Sequence, residues 1–376
     1  MDPEHFRTGA HYHSVDGAID HRGREIDPVQ DADLDRIKNK FIAAGIRHVG
    51  VVTKFSVRNA AQEMAIARQL EGHFEKVFLG HRISGNLSFP RRIATTYLNA
   101  AVYPIHREFF EAVNNSLTRK GLKVPIRILK ADGGNMNFEA SIDYPAQTTL
   151  SGPAASVMGS IAFGPEKGDA LVMDIGGTTT DMAILVDQVP LLAPQGIELG
   201  GFKTLIRSLE THSIGIGGDS AVRIENGRIQ VGPHRNGPAM AHGGPSPTPT
   251  DALVLLGKAR KGSRELAARG FAPIAEQLGV TIEDAAFQVF DHTCRQILKD
   301  AEEMVERINR QPVYTIHEMQ DGYQVRPTTI LVLGGPAPLF AEHLETLSRY
   351  RVGVVPRWTV ANAIGAALAR TTCEVN

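Results

Sequence analysis

Apolar residues recur at two different periods along this chain, and their alternation outlines the fold. Leu34, Ile37, Phe41 and Ile42 have helical spacing over Asp31–Ala44, and Gly45 ends the pattern. Val49-Gly50-Val51-Val52 then reads as a buried strand. Asn59 can cap a second helix reaching about Leu70, and Lys76-Val77-Phe78-Leu79 is the next strand. A long helical pattern covers Ile93–Leu117, with an interruption expected at Pro104. Ile126-Arg127-Ile128-Leu129 is a further strand, ending at Ala131-Asp132-Gly133-Gly134-Asn135. This order predicts an α/β architecture with a parallel sheet. Asp132 stands either where functional residues gather at strand carboxyl ends or in a plain Asp-Gly turn.

Further along, Thr149–Ser156 forms a loop that caps a helix running to Ile161, whose alanines, serines and glycine predict close packing. Two apolar runs, Leu171-Val172-Met173 and Met182-Ala183-Ile184-Leu185-Val186, then frame Asp174-Ile175-Gly176-Gly177-Thr178-Thr179-Thr180-Asp181. A strand–turn–strand is expected. Its glycines allow close backbone approach, its amides and threonine hydroxyls can face an anion, and an Asp at each end offers hard oxygens to a divalent cation. An ordinary Gly-Gly hairpin would need neither the paired aspartates nor three successive threonines. The chain has no Walker A run.

His212–Ser220 is a second glycine-dense loop, shaped for phosphate or substrate, with Ser220 where a dinucleotide fingerprint would carry its third glycine. Ala221–Ile224 and Ile229–Val231 flank Glu225-Asn226-Gly227, a two-residue hairpin signal. The proline-rich stretch 232–250 reads as a surface linker or an ordered lid, and Asp251 as a helix N-cap. Helices are expected through much of Arg264–Arg310. Thr329–Leu333 is a buried strand that breaks at Gly334-Gly335-Pro336, where bare backbone can receive a flat group or simply turn into a helix. Ala361–Ala367 is a small-residue helix suited to close packing.

Composition narrows the function classes. The 376 residues suffice for two domains, and a formal charge of −1 gives no electrostatic case for nucleic acid. Cys294 and Cys373 are too few for a disulfide framework, and the first residues lack a signal-peptide pattern, so a cytoplasmic protein without membrane contact is expected. His5, His11, His13 and His21 crowd the start; His11 and His13 would share a face of an edge strand, and no metal is assigned to them.

Arg92–Ala100, Asp132-Gly133-Gly134, Leu150–Ala154, Asp174–Asp181, Ile214–Ser220, Val231-Gly232-Pro233 and Ala361–Ala367 form an ordered set over nearly the whole chain. The set resembles the actin-like ATPase superfamily and, within it, the hydantoinase/oxoprolinase family, specifically its ATP-binding A-type subunit. That resemblance implies a ribonuclease H-like lobe with a mixed sheet and flanking helices at 131–376, after a partial N-terminal α/β lobe at 1–130. It implies ATP-dependent hydrolysis of a small cyclic amide by phosphorylation of its carbonyl oxygen, together with a B-type subunit; self-association is left open. In that scheme Asp174 holds Mg²⁺ through water. Gly176, Gly177, Thr178 and Thr179 contact phosphates, Gly217, Gly218 and Asp219 border the nucleotide or substrate, and Gly334 and Gly335 receive adenosine. Asp132 and Asp181 are the general-base candidates. Full-length relatives resemble a pair of such hairpins, and the first, Asp-x-Gly-Gly-Thr, has no counterpart before Asp174. A nucleotide-binding regulatory or assembly protein is therefore the alternative expectation.

Overall fold

The computed structural model describes residues 11–193, 195–310 and 324–372; His5 and Cys373 lie outside them. Two units emerge. The first takes the described residues up to Ser151, then 193–208 and the described residues from Arg370 on; the second takes Gly152–Leu192 and Leu209–Ala369. The sequence reading put one boundary at 130/131, whereas the division falls at 151/152 and is discontinuous.

In the first unit, strands His48–Val51 and Lys76–Leu79 pair in parallel, joined through helix Ala61–Leu70. Leu34, Val49, Val51, Ile66, Leu70 and Leu79 form the core between sheet and helices. Asn59 Oδ1 accepts from the Ala61 N–H, close to the cap expected of it. Pro104 does not interrupt the long helix, which is continuous over Phe89–Arg119. The proline removes one amide donor, but Thr95, Thr96, Asn99, Tyr103 and His106 bury one face on both sides of it. Arg92, fully buried, donates to the carbonyls of Thr53, Lys54 and Asn86, so this first motif residue fastens loops to the helix start.

His11 and His13 are not in a strand; their rings lie against Phe41 beside a cavity of about 690 Å³. Strand Arg127–Leu129 also departs from expectation. It pairs antiparallel with Asn135–Asn137, so residues 130–134 are a hairpin tip and not the carboxyl end of a parallel strand.

The second unit is built on a six-stranded mixed sheet. Arg351–Val354, Thr329–Leu333 and Asp169–Ile175 run parallel, and Thr180–Val186 then pairs antiparallel with Asp169–Ile175. Thr211–Ile214 and Val189–Pro190 both pair antiparallel with Thr180–Val186. Leu171, Met173, Ile175, Ile184, Ile330 and Val332 meet Phe271, Phe290, Phe340 and Leu344 in the core. Asn226 and Gly227 both adopt positive φ at the tip of the hairpin Val222–Val231, as the Asn-Gly signal requires.

Thr248, not Asp251, caps helix Pro249–Leu255. Asp251 occupies the third helical position and closes a capping box; its buried carboxylate also accepts the N–H groups of Met240 and Ala241, which orders the proline-rich stretch before it. The two small-residue helices, Ser151–Ser160 and Ala361–Leu368, cross at Gly159 and Gly365. A Cβ on Gly365 would lie 2.0 Å from the Ala155 carbonyl oxygen, and one on Gly159 2.0 Å from that of Ala361.

Candidate nucleotide site

The hairpin expected from the Gly-Gly-Thr-Thr-Thr run forms between strands Asp169–Ile175 and Thr180–Val186, and the pairing places Asp174 directly opposite Asp181. The next strand sets Ser213 opposite Asp181, and on the other side Leu333 pairs with Asp174. One row across the sheet therefore reads Ser213, Asp181, Asp174, Leu333. Parallel pairing of Thr329–Leu333 with Asp169–Ile175 brings Gly334-Gly335 to the carboxyl edge beside the hairpin turn, where ligands of α/β sheets sit.

A cavity of about 320 Å³ opens there, lined by Asp174, Gly176, Thr179, Asp181, Gly334 and Gly335 of the expected residues. Gly334 has φ +95°, and a Cβ on it would lie 2.5 Å from Asp174 Oδ1 and 2.3 Å from the Ile175 carbonyl oxygen. Only bare backbone can approach the carboxylate this closely. Ser156 Oγ donates to Asp174 Oδ2, fixing the carboxylate from the other side.

Gly217, Gly218 and Asp219 do not line this cavity; they brace the hairpin. The Gly218 and Asp219 N–H groups donate to the carbonyls of Gly176 and Gly177, at 2.9 and 2.6 Å. A trans peptide points its carbonyl and N–H in opposite directions, so this brace turns the N–H groups of Gly177 and Thr178 outward. Outward-facing consecutive amides form an anion nest. Gly217 lies so near that a Cβ would meet the Gly176 carbonyl oxygen at 2.6 Å. The Asp219 carboxylate pairs with Arg235 at 2.9 Å, and the same guanidinium donates to Thr178 Oγ1. Arg235 thus places a guanidinium, balanced by Asp219, against the turn, which the sequence reading missed. It also missed Leu333, Trp358, Thr359 and Asn362, which complete the lining.

Asp132 belongs to the first unit. Its carboxylate closes the hairpin tip, accepting from the Gly134 N–H and pairing with Lys130 at 3.1 Å, the plain-turn alternative of the sequence.

Burial raises the Asp181 carboxyl above the usual carboxylate range; Ser213 opposes this by hydrogen bonding to it, and the Asp174 charge adds to the rise. The folded state therefore binds a proton more readily than the unfolded chain. Stability is greater below the unfolded pKa and falls as pH rises through the folded one. Asp181→Asn is expected to flatten this slope and raise the thermal midpoint at neutral pH. Thermal denaturation across a pH series would check it.

Among the described residues, no three His, Cys, Asp or Glu side chains gather to hold a metal alone. Two carboxylates on one row suit an ion that keeps water and phosphate oxygens in its shell, as Mg²⁺ does. The residues fit such an ion.

The sheet topology, with the strand–Gly-Gly–strand hairpin and Gly334-Gly335 at one edge, defines an α/β protein with a mixed sheet and flanking helices. The hydantoinase/oxoprolinase family model matches residues 92–375, and the chain belongs to that family. Nucleotide-free acetone carboxylase superposes with a TM-score of 0.76 at 21% identity, covering 94% of this chain and 51% of that one. ATP-dependent caprolactamase from Pseudomonas jessenii gives 0.73 at 22% identity, covering 95% and 53%. In sequence, the caprolactamase alpha subunit of Pseudomonas jessenii is 23% identical over 94% of this chain and 51% of its own length. The acetophenone carboxylase gamma subunit of Aromatoleum aromaticum is 25% identical over 85% and 45%. The chain spans about half the length of these relatives, which are named as subunits of larger enzymes. No helix among the described residues is long and apolar enough to cross a membrane.

Proposed function

We propose that the second unit binds Mg²⁺-ATP at the Asp174–Asp181 row and that the chain acts as the A-type subunit in ATP-dependent opening of a small cyclic amide. The observation that carries this reading is the cross-strand aspartate pair, which lines one cavity with the bare backbone of Gly334 and Gly335 beside the hairpin turn. ATP supplies a phosphoryl group that turns the amide carbonyl oxygen into a leaving ester and ends amide resonance. The protein's part is positioning and charge neutralisation. Gly177 and Thr178 would present amides to phosphate oxygens, Thr179 a hydroxyl, and Asp174 would hold Mg²⁺ through water. Asp181, its carboxyl raised by burial, is poised to take a proton from an attacking water and is the general base on this reading. A B-type subunit is the proposed partner, in keeping with relatives that are named subunits of larger assemblies.

The test uses the purified chain with ATP and Mg²⁺, alone and with a B-type subunit, and hydantoin, 5-oxoproline or caprolactam. Lactam-stimulated phosphate release is expected with the partner. Nucleotide binding that no lactam affects would instead point to a regulatory or assembly role; absence of Mg²⁺-nucleotide binding would end the reading.

A further inference from the structure

Arg235 belongs to the proline-rich stretch between the hairpin Val222–Val231 and helix Pro249–Leu255, and that stretch is tied down on both sides of it. The Ala221 N–H donates to the His234 carbonyl at 2.8 Å, and the Asp251 carboxylate takes up the N–H groups of Met240 and Ala241. The guanidinium is thereby laid against the bare backbone of the Gly-Gly turn: a Cβ on Gly177 would lie 4.0 Å from Arg235 Cζ and 3.0 Å from Asp219 Oδ2. Each guanidinium nitrogen has one acceptor. Nη2 donates to Asp219 Oδ2 at 2.9 Å, Nη1 to Thr178 Oγ1 at 3.4 Å and Nε to the Gly237 carbonyl at 3.2 Å. A guanidinium carries five N–H groups, so one on each terminal nitrogen is left over, and the side chain is 43% exposed. Asp219 is fixed in turn, its N–H donating to the Gly177 carbonyl at 2.6 Å and its Oδ1 accepting from Thr250 Oγ1 at 3.3 Å.

Resting on the Mg²⁺-nucleotide reading above, we infer that Arg235 is a phosphate ligand at the hairpin turn and that Asp219 both positions it and tempers its pull. The Gly177 and Thr178 amides can attract an oxyanion only by their dipoles. A guanidinium held beside them adds a full charge and a fork of donors that matches phosphate oxygens. The carboxylate works in the opposite sense, aligning the fork while repelling the same anion. The two members of this ion pair therefore act on phosphate affinity with opposite signs, which a pair serving structure alone would not do.

Titration calorimetry with Mg²⁺-pyrophosphate and with Mg²⁺-ADP, on the full chain and on Arg235→Ala, Arg235→Lys and Asp219→Asn, tests this, with thermal midpoints measured alongside. Arg235→Ala should weaken both ligands roughly 5- to 50-fold, and Arg235→Lys, which keeps the charge but not the fork, should recover part of the loss. In Asp219→Asn the amide oxygen can still accept from Arg235 and Thr250, so the variant should tighten pyrophosphate roughly 2- to 10-fold. Unchanged pyrophosphate affinity in Arg235→Ala overturns the phosphate contact. Pyrophosphate affinity that Asp219→Asn fails to raise overturns the opposed action of the pair, and a loss in both variants that follows a lowered thermal midpoint marks a structural ion pair and overturns the whole inference. Each of these results leaves the nucleotide reading intact, whereas failure of the unaltered chain to bind either ligand overturns both.

Discussion

Asp174→Asn is expected to lower Mg²⁺-dependent phosphate release on the order of 100- to 1000-fold, the range seen when one preorganised charge-stabilising group is removed. The substitution keeps the shape of the side chain and can keep the hydrogen bond from Ser156. It removes the charge that would attract the cation. Removing that charge also removes one source of the upward push on the Asp181 carboxyl, so the variant should fold at least as well as its parent. Loss of activity with an undiminished thermal midpoint is thus the signature expected. The check pairs phosphate release with calorimetry of Mg²⁺-ADP binding, and affinity within about threefold of the parent would sink the metal-holding role.

The second large effect is on stability. Gly365→Val places its Cβ 2.0 Å from the Ala155 carbonyl oxygen and 2.5 Å from the Gly159 nitrogen, both backbone atoms of the facing helix. Neither can yield as a flexible side chain would. Overpacking of this kind costs about 3 kcal/mol or more, so a fall of roughly 6–12 °C in thermal midpoint is expected. Gly159→Ala strikes the same crossing from the other helix, and the double variant should lose less than the sum of the two. The facing helix carries Ser156, which holds Asp174, and the helix of Gly365 carries Asn362 of the cavity wall. Nucleotide affinity should therefore fall with stability. A midpoint within 2 °C of the parent would show that the helices separate freely.

Much of the candidate site's hairpin geometry could be read from the sequence because its signals are local. The run from Asp174 to Asp181 contains both strands' inner ends and the turn, and strict pairing across a tight hairpin leaves little freedom in which aspartate faces which. Asn226-Gly227 was legible for the same reason. The setting of Asp132 was not, since Asp-Gly-Gly suits a hairpin tip as well as a strand's carboxyl end, and the pairing of Arg127–Leu129 with Asn135–Asn137 makes it a hairpin tip. Trp358 gave no local signal: it enters the cavity because Arg351–Val354 lies beside Thr329–Leu333, a long-range fact. Pro104 misled because burial on one helix face outweighed the lost donor. The brace formed by Gly217–Asp219 read as a ligand loop because glycine density marks close approach without saying to what.

The first unit's hairpin at Arg127–Asn137 carries a further consequence for how the protein is made. Asn135 bridges to Thr371, whose hydroxyl meets its side chain from 236 positions further along the chain. On the ribosome, the hairpin emerges long before the strand segment that completes it. Synthesis must pass through the whole second unit first. Until then the first unit's hairpin lacks the Thr371 partner that bridges to Asn135, so this part of the first unit closes only after the second unit's residues have been made.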